Sequence, residues 1–153
     1  MIRLVTNQDL NAWMELAGEV EPLFGEMVGK EDFINGIKDF ISSSSAFCVV
    51  NTDNEVEGII AINKALNEIA WLAVGEKCRG KGYGYQLLER AIDSLDNSKP
   101  IYVQTFSPGV KVGEAARKIY MKFGFKDDKD GGKNPAGIDT VIMKRENSIN
   151  FTG

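Results

Sequence analysis

Apolar residues recur along this chain with two different periods, and the switches between them divide it into short elements. Alternation at 2–6 suits a strand. Asn7 or Asp9 can then cap a helix through Leu10, Trp13, Met14 and Ala17, with Pro22 and Gly25 expected to break it. Phe33, Ile34, Ile37, Phe40 and Ile41 mark a second helix over 30–41, followed by a serine loop at 42–45. Two strand-like runs, 46–50 and 56–63, flank the polar turn Asn51-Thr52-Asp53-Asn54 as in a hairpin. A third run covers 68–74 after a tight turn near Leu66 and Asn67. Leu87, Leu88, Ala91, Ile92 and Leu95 give the buried face of a helix over 84–95. A strand at 100–106 and a helix at 112–123 follow, the helix closed by Gly124. The polar stretch 126–135 reads as a loop, and 138–144 as a final strand. The order β-α-α-β-β-β-α-β-α-β predicts an α+β domain, a mixed sheet with helices packed on it. One domain over 1–146 and a frayed tail at 147–153 account for the chain.

Composition narrows the chemistry more than the fold. At 153 residues, 43% hydrophobic and 26% charged, the chain has the profile of one ordinary globular domain. A net charge of −4 argues against a nucleic-acid partner. No apolar run approaches the ~18 residues of a membrane span, and no signal peptide is visible, so a cytoplasmic location is expected. Two cysteines, Cys48 and Cys78, are too few for a disulfide framework or a zinc site. Asp127, Asp128 and Asp130 lack the spacing of a calcium loop, so no metal is expected. Histidine is absent altogether, which excludes Ser-His and Cys-His machinery and any histidine base. Charge is also segregated. Residues 7–32 carry seven acids against one base, whereas 76–145 carry fourteen bases against nine acids. A cationic ligand on one side and a polyphosphate on the other would suit that division, although two solvated surfaces would produce it too.

One segment combines strand, glycine turn and helix: Leu72-Ala73-Val74, then Gly75-Glu76-Lys77-Cys78, then Arg79-Gly80-Lys81-Gly82-Tyr83-Gly84 and the helix carrying Leu87 and Leu88. Alternate glycines allow positive φ and close approach of a ligand to the backbone. The helix start offers unpaired N–H groups and a positive dipole end, with Lys77, Arg79 and Lys81 around it, so a pyrophosphate is the natural guest. A Walker loop requires Gly-Lys-Ser/Thr, which this turn lacks. A dinucleotide fingerprint requires a third glycine where Tyr85 stands.

The run Ile69-Ala70-Trp71-Leu72-Ala73-Val74 followed by Arg79-Gly80-Lys81-Gly82-Tyr83-Gly84 resembles the acetyl-CoA-binding motif of the GNAT acetyltransferases, Arg/Gln-x-x-Gly-x-Gly/Ala. The later run from Ala116 through Tyr120 to Gly124-Phe125 is similar to that family's Ala-x-x-x-Tyr-x-x-x-Gly-Phe. The resemblance extends over nearly the whole order of elements. It implies a mostly antiparallel sheet flanked by helices and splayed at the cofactor, with acetyl-CoA lying along Leu72, Ala73 and Val74. The diphosphate would take N–H groups from Gly80, Lys81, Gly82, Tyr83, Gly84 and Tyr85, beside Arg79. Tyr120 would protonate the leaving thiolate. The acceptor would be an amine of a small molecule or a peptide, acetylated directly in a ternary complex. The family often has an asparagine seven places before the tyrosine; Gly113 stands there, leaving Ser107 or backbone to make that contact.

Tyr120 also lies on the apolar stripe Ala116, Ile119, Phe123, where packing alone would explain an aromatic ring. A carboxylate is needed to take the proton of an ammonium acceptor, and Glu68, at the start of the strand leading to the turn, is the candidate base. A solvent-facing strand end is the competing reading. Glu19, Glu21 and Glu26 suit attraction of a cationic amine, or a plain acidic surface. Cys78 reads as incidental, having no activating partner. A non-catalytic acyl-CoA-binding module on the same fold, and an unrelated nucleotide-binding domain, are the alternatives. Exposed strand edges leave a homodimer open.

Overall fold

A computed structural model describes residues 1–146, and the tail expected at 147–153 lies outside the described residues. The chain starts with strand β1 (Ile2–Leu4) and a capped turn at Asn7–Asp9. Asp9 accepts from the Thr6 amide at 2.8 Å and binds Arg3 through both carboxylate oxygens, at 2.8 and 2.9 Å. This staple fixes the entry to α1 (Leu10–Phe24), which α2 (Glu31–Ser42) follows. Pro22 lies inside α1 rather than ending it. It stands two residues from the end and removes a single helical hydrogen bond. The last turn is held by the Gly25 amide on Glu21 O at 2.8 Å and by Phe24 stacked on Phe106 at 5.4 Å.

Strands β2 (Ala46–Val50), β3 (Val56–Asn63) and β4 (Glu68–Val74) form an antiparallel meander, as the alternation predicts. Next come α3 (Tyr83–Asp93), β5 (Ile101–Phe106), α4 (Glu114–Lys122), β6 (Phe125–Lys133) and β7 (Asp139–Arg145). The stretch expected as a loop at 126–135 is therefore mostly strand. As the sheet edge it pairs only with β7 and is largely exposed, so no hydrophobic alternation announces it. The sheet order is β1-β2-β3-β4-β5-β7-β6, with every neighbouring pair antiparallel except β4–β5.

The two faces bury separate cores. Phe47, Ile60, Leu87, Leu88, Val103 and Met143 pack on the α3/α4 side. Trp13, Leu16, Ile37, Cys48 and Ile59 pack on the α1/α2 side. Among the described residues no helix is long and apolar enough to cross a membrane.

Candidate active site

The parallel pair β4–β5 opens almost as soon as it forms. Only Glu68↔Tyr102 and Ile69↔Val103 are in register, although β4 continues to Val74 and β5 to Phe106. The departure coincides with a bulge: Ala61 opposes Trp71 and Ile62 opposes Ile69, leaving Ala70 unmatched. An extra residue bends a strand and raises its twist, which carries β4 away from β5. Past the bulge, the edge of β4 facing β5 has no strand partner.

Alternation identifies which backbone groups face that gap. The Gly75 amide bonds Glu57 O on β3 at 2.8 Å, so residues 75 and 73 point toward β3. The N–H and C=O groups of Val74 and Leu72 then point into the gap. Ala73 contributes no backbone group there, and its side chain is buried against Val20 and Met27.

At the end of β4 lies the glycine turn. Gly80 and Gly82 both adopt φ +81°, and a Cβ at either would meet nothing within 4 Å. Their requirement is conformational: the left-handed region favours glycine, and both stand beside open space. Gly82 is the residue before α3, and its carbonyl accepts from Gln86 N at 3.1 Å. Among the described residues, no protein acceptor bonds the N–H groups of residues 79–85. Lys77, Arg79 and Lys81 are exposed and form no ion pair among the described residues. A row of free amides at a helix start, ringed by cations, is an anion site. The Tyr85 ring is not part of it, since it lies against Phe123 at 4.7 Å between centroids.

Tyr120 and Glu68 lie on opposite faces of the sheet. Tyr120, on α4, is 4% exposed within the α3/α4 core, edge-on to Phe125 at 5.7 Å. The ring packs as the apolar stripe predicts, and among the described residues no protein group bonds its hydroxyl. Burial pushes the phenol well above its ordinary value and keeps it protonated. Ile69 points into that same core, so its neighbour Glu68 points to the other face, on the same side as Tyr102. Burial also raises the Glu68 carboxyl from its ordinary value, which makes its carboxylate a stronger base.

Gly113 is enforced by packing. A Cβ there would stand 2.5 Å from Phe106 Cβ and 2.8 Å from Cδ2, so no asparagine fits without moving β5 or the ring. Ser107 keeps its hydroxyl unbonded among the described residues. The acidic cluster is mostly committed elsewhere. Glu21 accepts from the Met27 and Val28 amides at 2.7 and 2.9 Å, and Glu19 from the Glu76 amide at 2.9 Å. Asp127 holds Arg117 through two bonds of 2.8 and 2.9 Å, and no described cluster could hold a metal ion.

One participant escaped the sequence reading. Glu57 on β3 accepts from Cys78 Sγ at 2.8 Å and from Tyr83 Oη at 3.1 Å, so Cys78 fastens the turn and is not incidental. No local signal announces this, because the contact spans 26 residues.

The turn between β6 and β7 meets the end of α1. Asn134 Nδ2 donates to Leu23 O at 2.8 Å, and Pro135 packs over Gly25.

The family model described as acetyltransferase (GNAT) domain matches residues 18–147. No curated protein matches the chain. Among solved structures, the chain is similar to a ribosomal-protein-alanine N-acetyltransferase from Brucella melitensis (16% identity, 95% of this chain and 99% of that one, TM-score 0.76). It is also similar to a phosphinothricin acetyltransferase from Sinorhizobium meliloti in complex with AcCoA (16%, 95% and 87%, 0.72). A third is a spermidine N-acetyltransferase variant from Vibrio cholerae (16%, 100% and 99%, 0.69). At such identities the likeness shows the fold.

Proposed function

The chain belongs to the acetyltransferase (GNAT) domain family, and we propose on that basis that it moves an acetyl group from acetyl-coenzyme A to a primary amine by direct transfer while both are bound. The observation that carries this reading is the row of unpartnered amides at 79–85, beside the unpaired edge of β4. The chain fits the cofactor at both ends. The amides from Gly80 to Tyr85, with Arg79 and Lys81, suit a diphosphate, and the backbone of Leu72 and Val74 suits the amide-bearing pantetheine arm.

Bound there, acetyl-coenzyme A supplies an acetyl group activated as a thioester. The Glu68 carboxylate takes a proton from the incoming ammonium, directly or through one water, from the α1/α2 face. The Tyr120 hydroxyl gives its proton toward the sulfur from the opposite face. The unpaired N–H groups of Leu72 and Val74 would stand as donors for the acyl carbonyl, and the gap between β4 and β5 would bring donor and acceptor together. The acceptor enters beneath the junction of α1 and the β6–β7 turn, and an amine of a small molecule or peptide suits that opening. A cytoplasmic location accords with acetyl-coenzyme A as donor.

Two measurements test this. Coenzyme A at a hundred times its Kd should stabilise the fold by about 2.7 kcal/mol in thermal unfolding, and thiol release should follow with some member of an amine panel. No stabilisation by coenzyme A would sink the reading. Stabilisation without thiol release on any amine would make the chain a non-catalytic acyl-CoA-binding module. Stabilisation by ATP or NAD alone would point to an unrelated nucleotide.

A further inference from the structure

The bulge between β2 and β3 has a consequence at the glycine turn. Val49 opposes Gly58 and Val50 opposes Val56, so Glu57 is the extra residue of β3. Bulged residues leave the ladder's strict alternation and can be aimed elsewhere. Glu57 is tied to the turn at three points. Its carbonyl accepts from the Gly75 amide at 2.8 Å, where the turn begins. Its Oε2 accepts from Cys78 Sγ at 2.8 Å, in the middle. Its Oε1 accepts from Tyr83 Oη at 3.1 Å, at the first residue of α3.

Besides those ties, Glu19 accepts from the Glu76 amide at 2.9 Å, and beyond Cys78 no described group bonds the turn's amides. Its internal backbone bond is Cys78 N to Gly75 O at 2.8 Å, and its next is Gln86 N to Gly82 O. Two left-handed glycines lie between Cys78 and Tyr83. A stretch so free in φ and ψ would ordinarily sample many shapes, and a ligand would lose affinity in ordering it. Hydrogen bonds to an ionised acceptor are stronger than neutral ones, which suits a carboxylate as the fastener.

Building on the acetyl-coenzyme A reading, we propose that Glu57 is a positioning residue for diphosphate binding: it clamps residues 75–83 in the shape that leaves the amides from Arg79 onward free. The carboxylate works from beneath the loop through Cys78 and Tyr83, and Lys77, Arg79 and Lys81 outnumber its single negative charge.

A truncated donor separates this role from a general effect on the fold. For Glu57→Ala, the Kd for coenzyme A by calorimetry should rise by about tenfold or more. The KM for S-acetylpantetheine, which lacks the diphosphate, should stay at the wild-type value. Tyr83→Phe, which removes one of the two donors, should fall in between. A coenzyme A Kd within about twofold of wild type in Glu57→Ala overturns the proposal, as do equal losses with both donors.

A second arm needs no cofactor. Cys48 is fully buried and its thiol is pushed up to about 11, so alkylation of the native protein reports on Cys78. The bond to Glu57 holds the Cys78 thiol above its ordinary value. Glu57→Gln removes that negative charge, and iodoacetamide should then modify Cys78 about threefold faster or more at neutral pH. An unchanged rate overturns the clamp itself. If the unaltered chain fails to hold coenzyme A, the functional reading falls on its own, and the alkylation rate still decides whether Glu57 fastens the turn.

Discussion

As the proposed general base, Glu68 should leave a signature in pH. Burial raises its carboxyl above the ordinary 4.5, because the charged form loses solvation there. A general base works only when deprotonated, so the rate should climb as pH rises through that elevated value and level off above it. Glu68→Gln should remove this limb and lower kcat by about 10²-fold, within the usual range for a positioned base. Binding of coenzyme A should be unaffected, since Glu68 stands at the closed end of the split and the turn at the other. A pH–rate profile with the limb intact in Glu68→Gln would show that another group takes the proton. At this scale the sequence was informative where chemistry is local. Gly80, Gly82 and the cations around them are adjacent in the chain, and their spacing alone implied an anion site. Gly113 was visible as a departure, but its cause was not. Phe106 lies seven positions away on a different element, and only the folded distance reveals the collision.

Elements were legible in proportion to how much they bury. The strands at 46–50, 56–63 and 68–74 match the apolar runs to the residue, since both faces of the central sheet are covered. Strand β6 was missed because an edge strand with polar residues on both faces carries no period to read. Its alternating lysines and aspartates, and two shifts in its register with β7, are also the devices that discourage pairing with a second copy. The opposite edge, β1, is three residues long and offers little template for pairing with a second copy. The first helix shows local and distant forces acting together. Its Pro22 suggested an early stop, while the Phe24–Phe106 stack holds the last turn in place. At its other end, Asp9 is held below the ordinary carboxylate range, first by its bonds to Arg3 and then by the Thr6 amide. A depressed folded value stabilises the protein above the unfolded value near 3.8 and is lost as pH falls through the folded one. Asp9→Asn should therefore cost about 1–2 kcal/mol at neutral pH. That difference should shrink below about pH 4. Denaturant melts of both proteins at two pH values check this, and a cost independent of pH would assign the loss to packing.

Viewed whole, the molecule is two halves meeting at an incomplete seam. Strands β1–β4 with α1, α2 and α3 lie on one side, and β5–β7 with α4 on the other, joined in the sheet by two residue pairs. A split sheet of this kind makes room for a cofactor at the cost of continuity, so contacts that bridge it elsewhere gain importance. Asn134 supplies one. Its Oδ1 accepts from the Ala136 and Ile138 amides at 2.9 and 3.1 Å and shapes the β6–β7 turn, while its Nδ2 reaches Leu23 O on α1. Asn134→Asp separates these tasks, because the oxygen that folds the turn remains and the donor to α1 is lost. With an acceptor now facing the Leu23 carbonyl, the junction should loosen at a cost of about 1 kcal/mol in global stability. The larger effect belongs to the acceptor: its KM should rise several-fold, while the Kd for coenzyme A, bound at the turn and along β4, stays at the wild-type value. Steady-state kinetics with the best amine of the panel, set beside calorimetry with coenzyme A, reads both quantities. A parallel loss in the two would mean that the bridge holds the whole seam closed, and an unchanged KM would remove the β6–β7 turn from the acceptor's path.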